Sequence, residues 1–317
     1  MLAFTFPGQG SQRPGMGRPW VDHESWALVA QASQAAGRDV AGLLLDADAE
    51  ELRDTRNAQL TTFVLSMVVR DAVERLGVAP AVCAGHSLGE YSALVAAGVL
   101  SFEDGVRLVV ARADAMHAAG RAAEGTMAAV LGLEVAAVGQ ACDAATGDAW
   151  VANDNAPGQV VIAGSPAGVD AAGAEAKRLG AKKVMALPVS GAFHTPFMAP
   201  ARDALQAAVE AARPRDAAVP VVANVDARAH VAGSEWRELL AAQLTAPVRW
   251  RESLQALAAA GACTVVELGP GGVLTGLAKR TLDGVRAGSV ATPEELGRLL
   301  DMVGAGAGHR IPVARTA

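Results

Sequence analysis

Short apolar runs that stop at glycine or proline alternate along this chain with longer stretches of helical periodicity, the pattern of strands leading into helices. Leu2–Phe6 is the first such run, and Pro7-Gly8-Gln9-Gly10 ends it. Helical spacing covers Thr61–Leu76. Val78–Ala84 is apolar again and ends at Gly85, and Glu90–Ala97 then reads as a helix, so strand, turn and helix follow in order. Ser101-Phe102-Glu103-Asp104 has the form of a capping box and opens a helix expected to reach about Ala119.

The pattern changes between Gly125 and Leu187. Met127–Leu133, Val160–Ala163 and Lys183–Leu187 read as strands, with helices at Glu134–Ala145 and Pro166–Leu179 between them. A sheet-and-two-helix unit of this size predicts an inserted small domain, with the larger core resuming after it. Pro196–Ala212 and Glu235–Gln243 then read as helices and Val219–Val225 as a strand. A further strand, Thr264–Leu268, breaks at Gly269-Pro270-Gly271-Gly272, and Met302–Ala317 is expected to be frayed. There is no internal repeat and no long linker.

Composition narrows the class. A chain of 317 residues exceeds one small domain, and 51% hydrophobic against 19% charged residues is the balance of a globular enzyme. Only 4% are aromatic, so Ala, Val, Leu and Gly carry the core, which suits parallel strands and closely packed helices. A net charge of -6 gives no nucleic-acid footprint. Cys83, Cys142 and Cys263 are odd in number and far apart, which fits a reducing cytoplasm better than disulfides or zinc. The first residues lack the features of a signal peptide. The apolar stretch Gly125–Gly147 is broken at Gly132 and Gly139, so no membrane span is expected.

Gly85-His86-Ser87-Leu88-Gly89 matches G-x-S-x-G between an apolar strand and a helix, the setting of a nucleophile elbow. A sharp turn there needs neighbours without side chains and presents the serine hydroxyl near the positive end of the following helix. Cys83, in the same strand, reads as a small core residue. Among six histidines, His194 stands in a loop fixed before Pro196, where it is as well placed for a base as for an ordinary loop residue. Arg112 shares an apolar helix face with Leu108 and Met116. An inward guanidinium needs an anion, and periodicity favours an internal carboxylate over an acidic substrate. Gly8-Gln9-Gly10 has backbone N–H groups that, with that of Leu88, suit an oxyanion hole; it matches neither a P-loop nor a dinucleotide fingerprint. Gly269–Gly272 reads as structural or as the lining of a cleft.

Taken in order, Phe6-Pro-Gly-Gln-Gly-Ser-Gln12, Gly85-His-Ser-Leu-Gly-Glu90, Arg112, Asn153–Gly164, Gly191-Ala-Phe-His194, Gln243–Trp250 and Glu267–Gly271 resemble the malonyl-CoA:acyl carrier protein transacylase family, which includes polyketide synthase acyltransferase domains. The resemblance runs to about Arg280. It implies Ser87 as nucleophile, His194 as base, Gln243 holding His194 through its main-chain carbonyl, and Gln9 and Leu88 as oxyanion donors. It also implies Arg112 as the grip on the malonyl carboxylate, Asn155 near the cleft entrance, and Phe193 as the ring that selects malonyl over 2-methylmalonyl. The fold implied is an α/β-hydrolase-like large domain with a parallel central sheet, about residues 1–123 and 191–317, carrying a ferredoxin-like small domain at about 124–190.

The implied reaction is ping-pong malonyl transfer from coenzyme A to the phosphopantetheine thiol of an acyl carrier protein by a cytoplasmic monomer with no cofactor. Arg178, Lys182, Lys183, Lys279 and Arg280 are candidates for a basic rim facing the acidic carrier. A hydrolase using the same elbow and a noncatalytic carrier-docking protein are the rival classes. Fatty-acid synthesis, polyketide synthesis and malonate decarboxylation are alternatives within the transferase class.

Overall fold

The computed structural model describes residues 1–189 and 191–304. Two sheets organise them. The larger has the order β10 (Arg286–Val290), β9 (Thr264–Leu268), β1 (Leu2–Phe6), β2 (Val82–Gly85), β7 (Val221–Val222) and β8 (Ala229–His230). The smaller has the order β4 (Ala149–Ala156), β5 (Gln159–Gly164), β3 (Thr126–Leu131) and β6 (Lys183–Ala186).

In the larger sheet β1 takes the centre because its residues can be buried on both faces: Ala3, Phe4 and Phe6 are wholly inaccessible. It pairs in parallel with β2 and β9, and β10 and β7 extend the parallel set. The expected parallel sheet is corrected at one edge. There β8 runs antiparallel to β7, because a tight turn with Ala227 at φ 55° sends the chain straight back. The smaller sheet is antiparallel throughout, and its connections run strand, helix, strand, strand, helix, strand. Its helices Val135–Asp143 and Pro166–Arg178 cover one face, packing Val138, Ala172 and Ala176 over Val130 and Ile162.

Several elements differ from their sequence expectation for local reasons. The helix expected over Thr61–Leu76 runs Thr55–Arg75 and begins at Asp54, which caps the Arg56 N–H. Its polar residues Asn57, Gln59, Thr61, Thr62 and Ser66 are buried with its apolar ones, which conceals its period. The strand expected over Val219–Val225 contracts to Val221–Val222, since the Asn224 N–H is taken by Glu90. β4, to which the sequence pattern assigns no element, carries Asn153 and Asp154 between two register shifts, with Asn155 in the second. Met302–Gly304, expected to fray, close the helix Leu296–Gly304; the rest of that stretch, with His309, lies outside the described residues. No helix among the described residues is long and apolar enough to cross a membrane.

The two sheets are tied beside β4. Val248 donates to the Ala152 carbonyl and accepts from Asp154 N–H. Arg251, on the helix Trp250–Ala259, reaches both Asp154 (2.9 Å) and Glu134 (2.7 Å).

Candidate active site

The turn after β2 is built by what its neighbours lack. A Cβ on Gly85 would lie 1.8 Å from the Gly89 carbonyl oxygen, and one on Gly89 would lie 2.0 Å from that of Phe6. Only glycine allows β2 to turn this tightly into the helix Gly89–Ala96. Ser87, between them, is held at φ 51°, in the left-handed region that L-residues avoid. Asn224 braces the turn from both sides, accepting the Ser87 N–H at Oδ1 and donating from Nδ2 to the Gly85 carbonyl, each at 2.7 Å.

The strain aims the Ser87 hydroxyl at His194, whose Nε2 is 2.8 Å away. His194 is itself at φ 62°. Its Nδ1 lies 2.8 Å from the main-chain oxygen of Gln243. A carbonyl oxygen can only accept, so Nδ1 carries the ring proton and Nε2 is left as the acceptor facing serine. Burial, reinforced by the positive charge of Arg112, holds His194 down to about 3, against the pull of the Gln243 carbonyl. The imidazole is therefore neutral at ordinary pH.

Arg112 points inward as its helix position predicts and is 1% exposed. Its Nη1 donates to Gln59 Oε1 (2.6 Å), and Nη2 donates to Gln243 Oε1 (3.0 Å) and the Ser87 hydroxyl (3.1 Å). The guanidinium lies over the Tyr91 ring at 5.2 Å. Among the described residues its Nε has no partner, and the hydrogen-bond acceptors it does have are neutral. The internal carboxylate partner that periodicity favoured is absent from this contact set. Glu90 comes nearest in effect, one carboxamide away, receiving Gln243 Nε2–H at one oxygen and Asn224 N–H at the other. Burial pushes the Glu90 carboxyl up to about 8.

Ser87, His194 and Arg112 face a cavity of about 540 Å³ whose walls come from both sheets. Gln9, Asn155 and Phe193 also line it. Leu88, directly after Ser87, is wholly buried. The N–H groups of Gln9 and Leu88 meet no acceptor among the described residues. Asn155 is set into the wall, with Oδ1 2.8 Å from His86 Nε2, and the His86 ring packs edge-on against Trp250. His86 thus turns away from the Ser87 hydroxyl. The Gly269–Gly272 loop is scaffold, packed so closely that a Cβ on Gly269 would lie 2.3 Å from Ser66 Oγ, and it is the helix after it that borders the cavity, with Val273, Leu274 and Leu277.

Sequence reasoning named Ser87, His194, Gln243 and Arg112, which lie in one hydrogen-bond network. It missed Gln59, Glu90 and Asn224 as members of the same hydrogen-bond network. Glu90 had a signal, since it sits one residue past the elbow. Gln59 and Asn224 had none beyond being polar residues at a helix or strand otherwise rich in apolar ones.

The acyl transferase domain family matches residues 3–299. The malonyl CoA-acyl carrier protein transacylase of Bacillus subtilis is 42% identical over 300 residues, 93% of this chain and 95% of that protein. The solved malonyl-CoA:acyl carrier protein transacylase of Xanthomonas oryzae pv. oryzae is 42% identical, with a TM-score of 0.91 over 95% of this chain and 98% of that one. A malonyl-transacylase solved in complex with its type II polyketide synthase acyl-carrier protein is 36% identical, with a TM-score of 0.91 over 95% and 99%. With the strained serine, its histidine and the inward arginine in one cavity, and these likenesses along nearly its whole length, the chain belongs to the malonyl-CoA:acyl carrier protein transacylase family of acyltransferases.

Proposed function

We propose that this protein moves a malonyl group from coenzyme A to the phosphopantetheine thiol of an acyl carrier protein through an ester on Ser87. The observation that carries the proposal is the position of the Ser87 hydroxyl, within hydrogen-bond reach of both a neutral imidazole and a buried guanidinium. A hydrolase has no use for that second contact. The names of the relatives, and the carrier complex of one of them, support the choice of substrates.

In the first half-reaction His194 Nε2 takes the hydroxyl proton as Ser87 Oγ attacks the thioester carbonyl. The N–H groups of Gln9 and Leu88 receive the developing oxyanion. The bond to sulfur then breaks, and the imidazolium returns its proton to the departing thiolate of coenzyme A. The carrier thiol reverses these steps. Arg112 holds the free carboxylate, which answers its need for an anion. Pairing also offsets the charge that depresses His194, so the base strengthens as malonyl seats. Phe193 fills the space an α-methyl group would need, a discrimination of about 1–3 kcal/mol.

The larger sheet with its elbow fits an α/β-hydrolase-like domain over residues 1–123 and, among the described residues, 191–304. The β4-β5-β3-β6 order fits a ferredoxin-like one over the described residues 124–189. Lys182 and Lys183 at β6, and Lys279 and Arg280 at the end of the helix Val273–Thr281, form the basic rim for the carrier. Arg178 is the weaker member, being paired with Glu175.

Intact mass after mixing with malonyl-CoA alone tests the proposal. A lasting malonyl adduct on Ser87, discharged only by a phosphopantetheinylated carrier protein, is the expected result. Rapid free malonate without carrier would instead indicate a hydrolase, and no adduct would end the proposal. A panel of fatty-acid and polyketide carriers then identifies the pathway.

A further inference from the structure

The hydrogen bonds behind the nucleophile converge on Gln243, which is wholly buried. Its main-chain oxygen receives His194, its Oε1 receives Arg112, and its Nε2 donates to the Ser87 carbonyl (2.9 Å) and to Glu90. A carboxamide turned end for end has almost the same shape, so packing alone does not choose between its two orientations. Its hydrogen-bond partners do. The reversed amide would set its oxygen against the Ser87 carbonyl and the Glu90 carboxyl, and its NH₂ against the Arg112 guanidinium.

We propose that Glu90 is a positioning residue that fixes the orientation of the Gln243 carboxamide, and through it the aim of Arg112 at the substrate carboxylate. The assignment rests on malonyl transfer as proposed above. Glu90 occupies the first turn of the helix after the elbow and is 1% exposed. Its two oxygens meet two donors on different parts of the chain, Asn224 N–H at 2.7 Å and Gln243 Nε2–H. A carboxylate has an acceptor on each oxygen, and even protonated its O–H oxygen keeps a lone pair that accepts, which an amide nitrogen lacks. A carboxamide in its place has one acceptor and one donor, so one of those two N–H groups would face another N–H. Asn224 has a separate part. It grips Ser87 N–H and Gly85 O, and so secures the elbow rather than the guanidinium.

The experiment compares rates of Ser87 acylation by malonyl-CoA and acetyl-CoA, followed by intact mass. Glu90→Gln is expected to slow malonylation roughly 10–100-fold. Acetylation, which makes no use of the Arg112 grip, falls less, so the malonyl-to-acetyl ratio shrinks. Glu90→Asp keeps two acceptor oxygens and restores much of that ratio even where the absolute rate stays low. Asn224→Ala slows both acyl groups together and leaves the ratio in place. Glu90→Gln with an unchanged ratio, or with both rates lowered in parallel, overturns the assignment. Should that variant not fold, Glu90→Met removes both acceptors without adding a donor. A collapsed ratio there supports the assignment, and a preserved one overturns it. Wild-type protein that malonyl-CoA does not acylate would overturn the transfer reaction itself, a result separate from any change confined to Glu90.

Discussion

The two sheets meet at one cavity but bring different things to it. Ser87, His194, Arg112 and Gln243 all lie outside the strands of the smaller sheet: Ser87 on the turn after β2, Arg112 and Gln243 on helices, and His194 on the loop between β6 and Pro196. The smaller sheet contributes Met127, Ala129, Val161 and Asn155, side chains of a strand face that form wall. Geometry explains the division. Parallel strands end on the same edge, so their following turns and helix starts converge there. Antiparallel strands alternate their ends and have a face to offer instead. Reactive groups gather at an edge, and shape is set by a face.

If this division is right, Ser87→Ala should have the largest effect. It removes the attacking atom, and acyl transfer should fall about 10,000-fold or more, measured as rate and as loss of the adduct. Arg112→Ala should lower malonylation about 100-fold while acetylation changes little, because the lost interaction is a charge-assisted one to the carboxylate. Equal losses for both acyl groups would place the arginine in the scaffold and weaken the contrast. Phe193→Ala should narrow the preference for malonyl-CoA over methylmalonyl-CoA by about tenfold, read from the ratio of kcat/KM values. Asn155→Ala, on the wall, should raise KM about fivefold with kcat nearly unchanged. A fall in kcat like that of Arg112→Ala would show that the smaller sheet reaches the chemistry after all.

The smallest change is expected from pH. In the substrate-free protein His194 stays neutral down to about 3, so its ring NMR signals should not titrate between pH 8 and 5. An inflection near 6.5 would show that the base is solvated. The unfolded chain binds this proton near 6.5 and the folded one only near 3. The contribution of His194 to stability is therefore complete above 6.5 and is lost progressively as pH falls through that window.

How much of this was legible follows the range of the interactions. The elbow is written locally, because Gly85 and Gly89 must both lack side chains for reasons that act within a few residues. The Ser101 cap is equally local, with its hydroxyl 3.1 Å from Asp104 N–H. The inward turn of Arg112 could be read from period, but its partners could not. Gln59 and Gln243 lie far away in sequence, and periodicity suggested a carboxylate where the fold supplies carboxamides. The role of His194 became readable only through resemblance, since nothing in a loop sequence reveals a positive φ or a ring aimed at serine. β4 was hidden because its buried polar residues bond across the junction of the sheets, where strand periodicity carries no information.

The placement of β1 bears on how the molecule is assembled. Leu2 pairs with Thr264 and Thr5 with Glu267, so the middle of the larger sheet joins residues from opposite ends of the described chain. During synthesis β1 emerges long before β9, the neighbour it pairs with. Until that neighbour arrives, the segment exposes one unpaired edge, a site for a chaperone or for aggregation. The loop after β1, which carries the proposed oxyanion donor Gln9, packs against Gly269 and Gly271 just beyond β9, so it takes its final position late, with the closing of the sheet.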